Sequence, residues 1–323
     1  MQFDHVPVML DEVLTAMRPS AGDVIVDCTL GGAGHSAHLA PMIAPHGLLI
    51  GIDRDPSALR AASERLAGAA CRVELVRGNF ADLADIMAEI GRREGKAVKP
   101  NGFLFDLGVS SPQLDLADRG FTYRDDAPLD MRMDPDSQLT ASHIVNTAGV
   151  AELTAIIREY GEERWASRIA RFIVDRRGGE PIATTGQLVS VILAAVPAAA
   201  RRDGPHPARR TFQALRIAVN DELGAVRRGV ETAIALAAHG GRVVTLSYHS
   251  LEDRIIKEIF RTGMAPCTCD PAAPACVCGK RPSLERASLK PVVPSYEEIQ
   301  KNPRSRSAKL RAATKVLGDQ GDE

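Results

Sequence analysis

Apolar residues in the first third of the chain come in short runs bounded by turn residues. DVIVDC (23–28), GLLIGID (47–53), RVELVRG (72–78) and GFLFDLG (102–108) each pack branched apolar side chains into a run too short for a helix, and they predict buried strands. Between them SAHLAPMIA, PSALRAASERLAG and ADLADIMAEIGRR carry apolar residues at helical spacing. Regular alternation of this kind predicts an α/β fold, a doubly wound parallel sheet with covering helices. After Pro112 the period changes. From about 137 to 238 the segments AELTAIIREY, EERWASRIARFIVDRR, TTGQLVSVILAAV and ARRTFQALRIAVNDELGAVRRGVETAIALAAHG read as helices, with no convincing strand among them. GGRVVTLSYHS (240–250) then returns to strand character and precedes the helix-like LEDRIIKEIFRTG. The economical division is a sheet core split in sequence: residues 1–112 as its first part, 113–216 as an inserted all-helical domain, and 217–323 as its second part.

Composition narrows the classes. A chain of 323 residues, 45% hydrophobic and 25% charged, buries a substantial core. The opening MQFDHVPVML lacks a basic segment followed by a long apolar run, and no stretch of about 18 apolar residues occurs. No signal peptide and no membrane span are read, and the expected location is the cytoplasm. Forty basic against 41 acidic side chains leave the balance neutral, so local clusters must decide any nucleic-acid partner. Six cysteines in a chain of this length do not suggest a disulfide scaffold.

The turn VDCTLGGAGHS (26–36) offers the first chemistry. Gly32, Gly34 and Ala37 satisfy G-x-G-x-x-A, and Asp53 ends the next strand about 20 residues on, which is the dinucleotide fingerprint. A carboxylate there accepts hydrogen bonds from the ribose of any adenosine ligand, so it does not separate NAD from S-adenosylmethionine. Asp27 and Asp106, at the mouths of the first and fourth strands, favour a ligand bearing an ammonium and a sulfonium over a pyrophosphate. Phe80 and Asn79, after the third strand, are placed to meet an adenine. The competing reading is that the glycines permit close helix packing, the acids cap helices and Phe80 is core.

HVPVMLDE (5–12), TLGGAGHS (29–36), GIDRDP (51–56), DLGVSSPQLD (106–115), PLDMRMD (128–134), HPARRTFQALRIAVNDEL (206–223), SYHSLEDRIIK (247–257) and NPRSRSAKLR (302–311) resemble, in order and almost end to end, the bacterial 16S rRNA (cytosine-N4)-methyltransferases. The resemblance implies a class I, Rossmann-like, S-adenosylmethionine-dependent methyltransferase with an inserted helical domain facing RNA. It implies methylation of a cytidine N4 in the decoding centre of 16S ribosomal RNA in the small ribosomal subunit. Carried over by position, it implies cofactor contacts at Ala33, Gly34, His35, Asp53, Phe80, Asp106 and Gln113. Ala33 replaces a glycine common in the family, which a methyl tolerates if φ stays negative there.

Cytosine N4 is a poor nucleophile because its lone pair is delocalised into the ring. A site for it must hold the amine in line with the sulfonium methyl and accept its hydrogen bonds. Asp106 is the first candidate for that role, with Ser110 and Ser111 in the following turn as secondary ones. Asp130 and Arg132 in PLDMRMD sit either near the target nucleotide or in a salt-bridged loop. Two basic segments are candidates for phosphates: Arg201, Arg202, His206, Arg209, Arg210 and Arg216, and then Lys301, Arg304, Arg306, Lys309, Arg311 and Lys315. Arg209, Arg210, Arg304 and Arg306 are the ones carried forward. Cys267, Cys269, Cys276 and Cys278 form C-x-C-x6-C-x-C; the expectation taken forward is a loop of free thiols with no metal, and a zinc site is the rival. Ser247, His249, Ser250 and Asp253 contain the ingredients of a hydrolase triad, but they lie too close in sequence to converge as one, and read as a strand end and helix cap. The rival classes are an NAD-dependent oxidoreductase and a non-catalytic ribosome-assembly factor.

Overall fold

Each apolar run of the first third forms a strand in the computed structural model: β1 (Val24–Asp27), β2 (Leu48–Asp53), β3 (Arg72–Arg77) and β4 (Gly102–Asp106). β5 (Arg242–Ser247) resumes the sheet. Two further strands, β6 (Leu284–Ala287) and β7 (Lys309–Lys315), complete the order β3-β2-β1-β4-β5-β7-β6. The first five are parallel, and β7 runs antiparallel to both β5 and β6. This is a Rossmann-like sheet whose order reverses at β1. The structure describes residues 7–109, 117–202, 204–270 and 275–316, so Ser110, Ser111 and Gln113 lie outside the described residues.

Helices α1 (Leu10–Met17), α2 (Gly34–Ile43), α3 (Pro56–Leu66) and α4 (Leu83–Glu94) accompany the first strands. α5 (Ala141–Thr147), α6 (Val150–Gly161), α7 (Ala166–Arg177), α8 (Thr185–Ala195) and α9 (Ala208–Asn220) follow, and α10 (Glu222–Leu236) and α11 (Ser250–Met264) flank β5. Alternate residues of each strand feed opposite faces of the sheet, as the two-residue period requires. Val26, Ile50, Phe103, Phe105 and Val243 pack with α4, α10 and α11. Ile25, Leu49, Leu104, Val244 and Leu246 pack with α1, α2 and α3. Among the described residues no helix is long and apolar enough to cross a membrane.

The chain divides into two compact units, residues 1–108 with 223–323, and residues 109–222. The divisions fall after 108 and 222 rather than after 112 and 216. The stretch 208–236, read as one helical segment, breaks at Asp221, whose φ of 46° is left-handed. α9 gives Phe212, Leu215 and Val219 to the core of the helical unit, whereas α10 gives Val226, Val230 and Ile234 to the sheet core. A single turn of chain therefore separates two cores that the unbroken helical periodicity merges.

β7 also corrects the expectation for the second basic segment. Lys309 and Arg311 are two apart on a strand, hence on one side of it, and both reach Asp253 of α11 at 3.1 and 2.7 Å. Arg311 is buried, and its Nη1 donates to the carbonyls of Ser288 and Leu289. Lys315 donates to the carbonyl of Ile234 at the end of α10. These three cations are structural and are withdrawn as phosphate ligands.

Burial pushes the Asp253 carboxyl up, but hydrogen bonds from Arg311 and Lys309 outweigh it and hold the group below the ordinary aspartate range. A depressed carboxyl contributes stability above its unfolded pKa, and that contribution is lost as pH falls through the folded value. Asp253→Ala leaves Arg311 buried without its carboxylate, so a loss of about 3 kcal/mol is expected at neutral pH. In urea titrations the gap to wild type should narrow below about pH 4. A gap that stays constant with pH would contradict the pairing.

Candidate active site

β2, β1 and β4 are neighbours, and each ends its run in an aspartate at the same edge of the sheet. Asp27 pairs in register with Gly51 and Leu104, and Asp53 and Asp106 lie two residues beyond those partners. The turn after β1 must cross this edge to start α2. Leu30 N–H donates to Ile52 O at 3.0 Å and Gly31 N–H to Asp53 Oδ2 at 2.8 Å, which fastens the turn to the end of β2. Gly31 takes φ 50°, where glycine carries no steric penalty. Ala33 takes φ 59° with its methyl fully buried, so the condition of negative φ set for tolerating that methyl is not met. Apolar packing of that methyl offsets a left-handed conformation that costs about 1–2 kcal/mol. A Cβ on Gly32 would meet nothing within 4 Å, so the outer face of the turn is open, with the first turn of α2 and its unpaired N–H groups beside it.

Each of the three carboxylates is held differently. Asp53 accepts from Gly31 N–H through one oxygen and from Asp55 N–H at 2.8 Å through the other, while burial still raises its pKa. Asp55 in turn caps α3 through Ser57 N–H, with Pro56 at the first helical position. Asp27 is 2% exposed; Ser36 Oγ–H donates to it at 2.6 Å and Thr29 N–H at 3.2 Å. Burial lifts its pKa to about 6 against the pull of Ser36 and the neighbouring His35. Asp106 accepts the Tyr248 hydroxyl at 2.7 Å, and its own N–H donates to Thr29 Oγ1 at 2.6 Å. Burial, then the adjacent Asp106, push the Tyr248 phenol well above its ordinary range, which keeps the proton on the phenol as the donor. His35 Nε2 faces Val8 O at 2.9 Å, so that nitrogen carries the hydrogen, and Nδ1 lies 3.6 Å from Asp106 Oδ2.

The fold thus brings Ala33, Gly34, His35, Asp53 and Asp106 to one edge. Tyr248, Thr29 and Ser36 join them without having been singled out from the sequence. Tyr248 had one available signal: it follows β5, the strand hydrogen-bonded to β4, two residues beyond the partner of Asp106. Phe80 is 8% exposed and meets Phe105 edge-on at 5.6 Å, which places it in the core beneath this edge rather than on an open stacking platform. Asn79 caps the short helix after β3 through Ala81 N–H. His249 caps α11, and Asp253 belongs to Lys309 and Arg311, so no triad forms.

The helical unit resolves the PLDMRMD loop. Arg132 binds Asp130 through Nε and Nη2 and the carbonyls of Pro135 and Ser137 through Nη1. Leu129, Met131 and Met133 are buried, and Asn220 of α9 clasps the loop at Met131 O and Met133 N–H. Of the two readings of this loop the salt-bridged one holds, and Arg132 is withdrawn as a substrate ligand. Arg216 forms a two-point pair with Glu222 and is likewise committed. Arg209 and Arg210 stay exposed at the start of α9, as do Arg304 and Arg306 in the sheet unit.

The residues fit a cationic adenosine ligand. The edge holds three carboxylates, an open glycine turn and a helix start. Arg65 reaches the turn from α3, donating to Gly32 O at 3.4 Å. Comparison with known proteins agrees. The model of the MraW methylase family matches residues 2–316. A relative named ribosomal RNA small subunit methyltransferase H from Symbiobacterium thermophilum is 54% identical over 98% of this chain and 98% of its own length. The protein of the same name from Clostridioides difficile is 48% identical over 98% of this chain and all of its own. A solved SAM-dependent O-methyltransferase from Thermotoga maritima is 10% identical with a TM-score of 0.42, covering 99% of this chain and 70% of that one, a likeness too remote to bear on chemistry.

The raised pKa of Asp27 has a sign opposite to that of Asp253. A carboxyl lifted by folding adds stability that is complete below its unfolded value near 3.8 and is lost as pH rises through about 6. Over that span the loss amounts to about 3 kcal/mol. Asp27→Asn should remove this decline, so its urea midpoint changes less than that of wild type between about pH 4 and 7. Parallel pH profiles for the two proteins would show that Asp27 does not titrate there.

Proposed function

Because the chain belongs to the MraW methylase family, we infer that it transfers a methyl group from S-adenosylmethionine to the exocyclic N4 of a cytidine in the decoding centre of 16S ribosomal RNA. The names of the full-length relatives support small-subunit ribosomal RNA as the acceptor. The cytidine N4 rests on the ordered motifs from HVPVMLDE to NPRSRSAKLR. The observation that carries the reading is Asp106 at the end of β4, fixed by a phenol that cannot ionise at neutral pH.

Bound S-adenosylmethionine supplies an electrophilic methyl on a sulfonium. The chain supplies position and charge. Asp53 serves the ribose side; each of its oxygens already accepts one N–H and retains a second lone pair for a ribose hydroxyl. The turn through Ala33 and Gly34 lets backbone approach the ligand closely, and His35 closes the site beside Asp106. Phe80 contributes as a packed wall, and Gln113 completes the set carried over from the resemblance. Asp106 accepts a hydrogen bond from the N4 amine, raising electron density on nitrogen and orienting it, with Ser110 and Ser111, a few residues on in sequence, as the secondary candidates. Tyr248 holds the carboxylate and Thr29 Oγ1 holds the backbone N–H of the same residue, so that little reorganisation is needed as charge develops. The departing proton passes to water, so no protein base is required. Arg209 and Arg210 of the helical unit and Arg304 and Arg306 of the sheet unit pair with phosphates, and the target base leaves its stack to reach the site.

Asp106→Ala should lower methyl transfer about 100- to 1000-fold with the fold intact. Tyr248→Phe, a positioning change, should cost about tenfold, in kcat rather than KM. The acceptor is tested by mass mapping of small-subunit RNA from cells with and without the gene. One methyl missing from a cytidine is the expected result. Unchanged RNA, or full activity in Asp106→Ala, would favour a non-catalytic assembly factor. Retention of NADH with no S-adenosylmethionine bound would favour an oxidoreductase.

A further inference from the structure

The four cysteines of C-x-C-x6-C-x-C play no part in the site above, and they lie in the excursion between α11 and β6. Its ends are pinned: Ser283 N–H donates to Gly263 O at 2.8 Å, and Leu284, 2% exposed, packs on Gly263. Among the described residues of the stretch no buried apolar side chain holds its shape. Val277 is 88% exposed, and Cys267 and Cys276 are exposed as well. Nevertheless the four sulfurs converge.

Cys276 Sγ lies 3.5 Å from Cys267 Sγ, 3.8 Å from Cys269 Sγ and 3.5 Å from Cys278 Sγ, and Cys278 Sγ lies 3.8 Å from Cys267 Sγ. All four ligand atoms fall within 4.8 Å of one another, and all four are free thiols. Zinc–thiolate bonds of about 2.3 Å in a tetrahedron place neighbouring sulfurs about 3.8 Å apart, which is the spacing seen. The sequence pattern explains how it arises. Each C-x-C supplies two thiols two residues apart, and the two pairs meet as four sulfurs. Val277 N–H donates to Cys269 Sγ at 3.4 Å, the kind of backbone contact that favours a thiolate over a thiol. Lys280 and Arg281 follow the last cysteine and offset part of the negative charge that four thiolates leave on a divalent ion, while Asp270 in the same loop adds to it.

We propose that Cys267, Cys269, Cys276 and Cys278 bind one structural zinc ion that closes the α11–β6 excursion. Four thiolates leave no open coordination position, so the site is a clip and not a second catalytic centre. Soft all-sulfur tetrahedral sites select zinc or iron among common metals, and a mononuclear site without redox work favours zinc. This replaces the expectation of a metal-free loop, and it stands whether or not the methylation reading does.

The test uses the full chain purified under reducing conditions without chelators or metal-affinity resin. It is then incubated with zinc sulfate, desalted and analysed for metals. About one zinc per chain is expected, with the Cys276→Ser/Cys278→Ser double variant retaining less than about a tenth of that. Because that variant could fail to fold, wild-type protein is also titrated with p-chloromercuribenzoate while a chromogenic chelator reports release. Zinc should appear in step with mercuration of these thiols. Less than about half an equivalent of zinc, iron in its place, or zinc undiminished in the double variant would overturn the proposal.

Discussion

Like charges placed at one edge of a parallel sheet are the constraint around which the sheet unit is arranged. Adjacency of β2, β1 and β4 brings Asp53, Asp27 and Asp106 to the same edge, and three carboxylates there repel unless each finds its own compensation. Asp53 takes two backbone N–H groups, which requires the turn after β1 to bend over β2 and explains the left-handed Gly31. Asp27 takes a serine hydroxyl and keeps a pKa near 6. Asp106 takes a phenol from the strand on its other side. The Gly31 and Ser36 contacts of the turn each settle one of these charges with a backbone N–H or a hydroxyl.

What the sequence discloses depends on whether a residue's environment is set by its own period or by a distant partner. β1, β2, β4 and β5 are readable because short runs rich in Val, Ile, Leu and Phe between turn residues favour a buried strand. β3, RVELVR, is instead an edge strand whose residues are half-buried or exposed, so the expectation of burial does not hold there. β7 is KLRAATK, with small alanines and cations at positions that face a sheet, and it is a strand because β5 and Asp253 accept it. The break at Asp221 is equally hidden: nothing in the local pattern separates α9 from α10, and only the two cores they serve do. Within the site, Asp53 and Asp106 are readable because strand ends at a sheet edge are where such folds bind ligands. Tyr248 is not, because its role depends on the register between β4 and β5.

Charge runs divide by the same logic. Of the basic residues near the C-terminus, Lys309, Arg311 and Lys315 lie on a strand and are drawn into fixed hydrogen bonds, whereas Arg304 and Arg306 lie on a short 3₁₀ turn and remain exposed. Arg216 and Arg132 are spent on Glu222 and Asp130, while Arg209 and Arg210 stay at the surface, Arg210 with its Nη1 on the Glu162 carbonyl. A cluster counted along the sequence therefore overstates the surface charge available to RNA. The exposed arginines are those for which phosphate contacts, which position a nucleic acid without reading its sequence, are proposed.

The magnitudes show why the edge discriminates between ligands that share an adenosine. At about 5 Å and an effective dielectric near 20, each charge pair is worth about 3 kcal/mol. A sulfonium held beside Asp106 and Asp27 would gain from both, and it would draw the Asp27 pKa back down. A pyrophosphate in the same place meets two repulsions of similar size, with only the helix start and the distant reach of Arg65 in its favour. On the proposed reading, selection of a positively charged methyl donor would rest on the strand ends themselves. The glycine turn, which the two kinds of ligand would share, carries none of it.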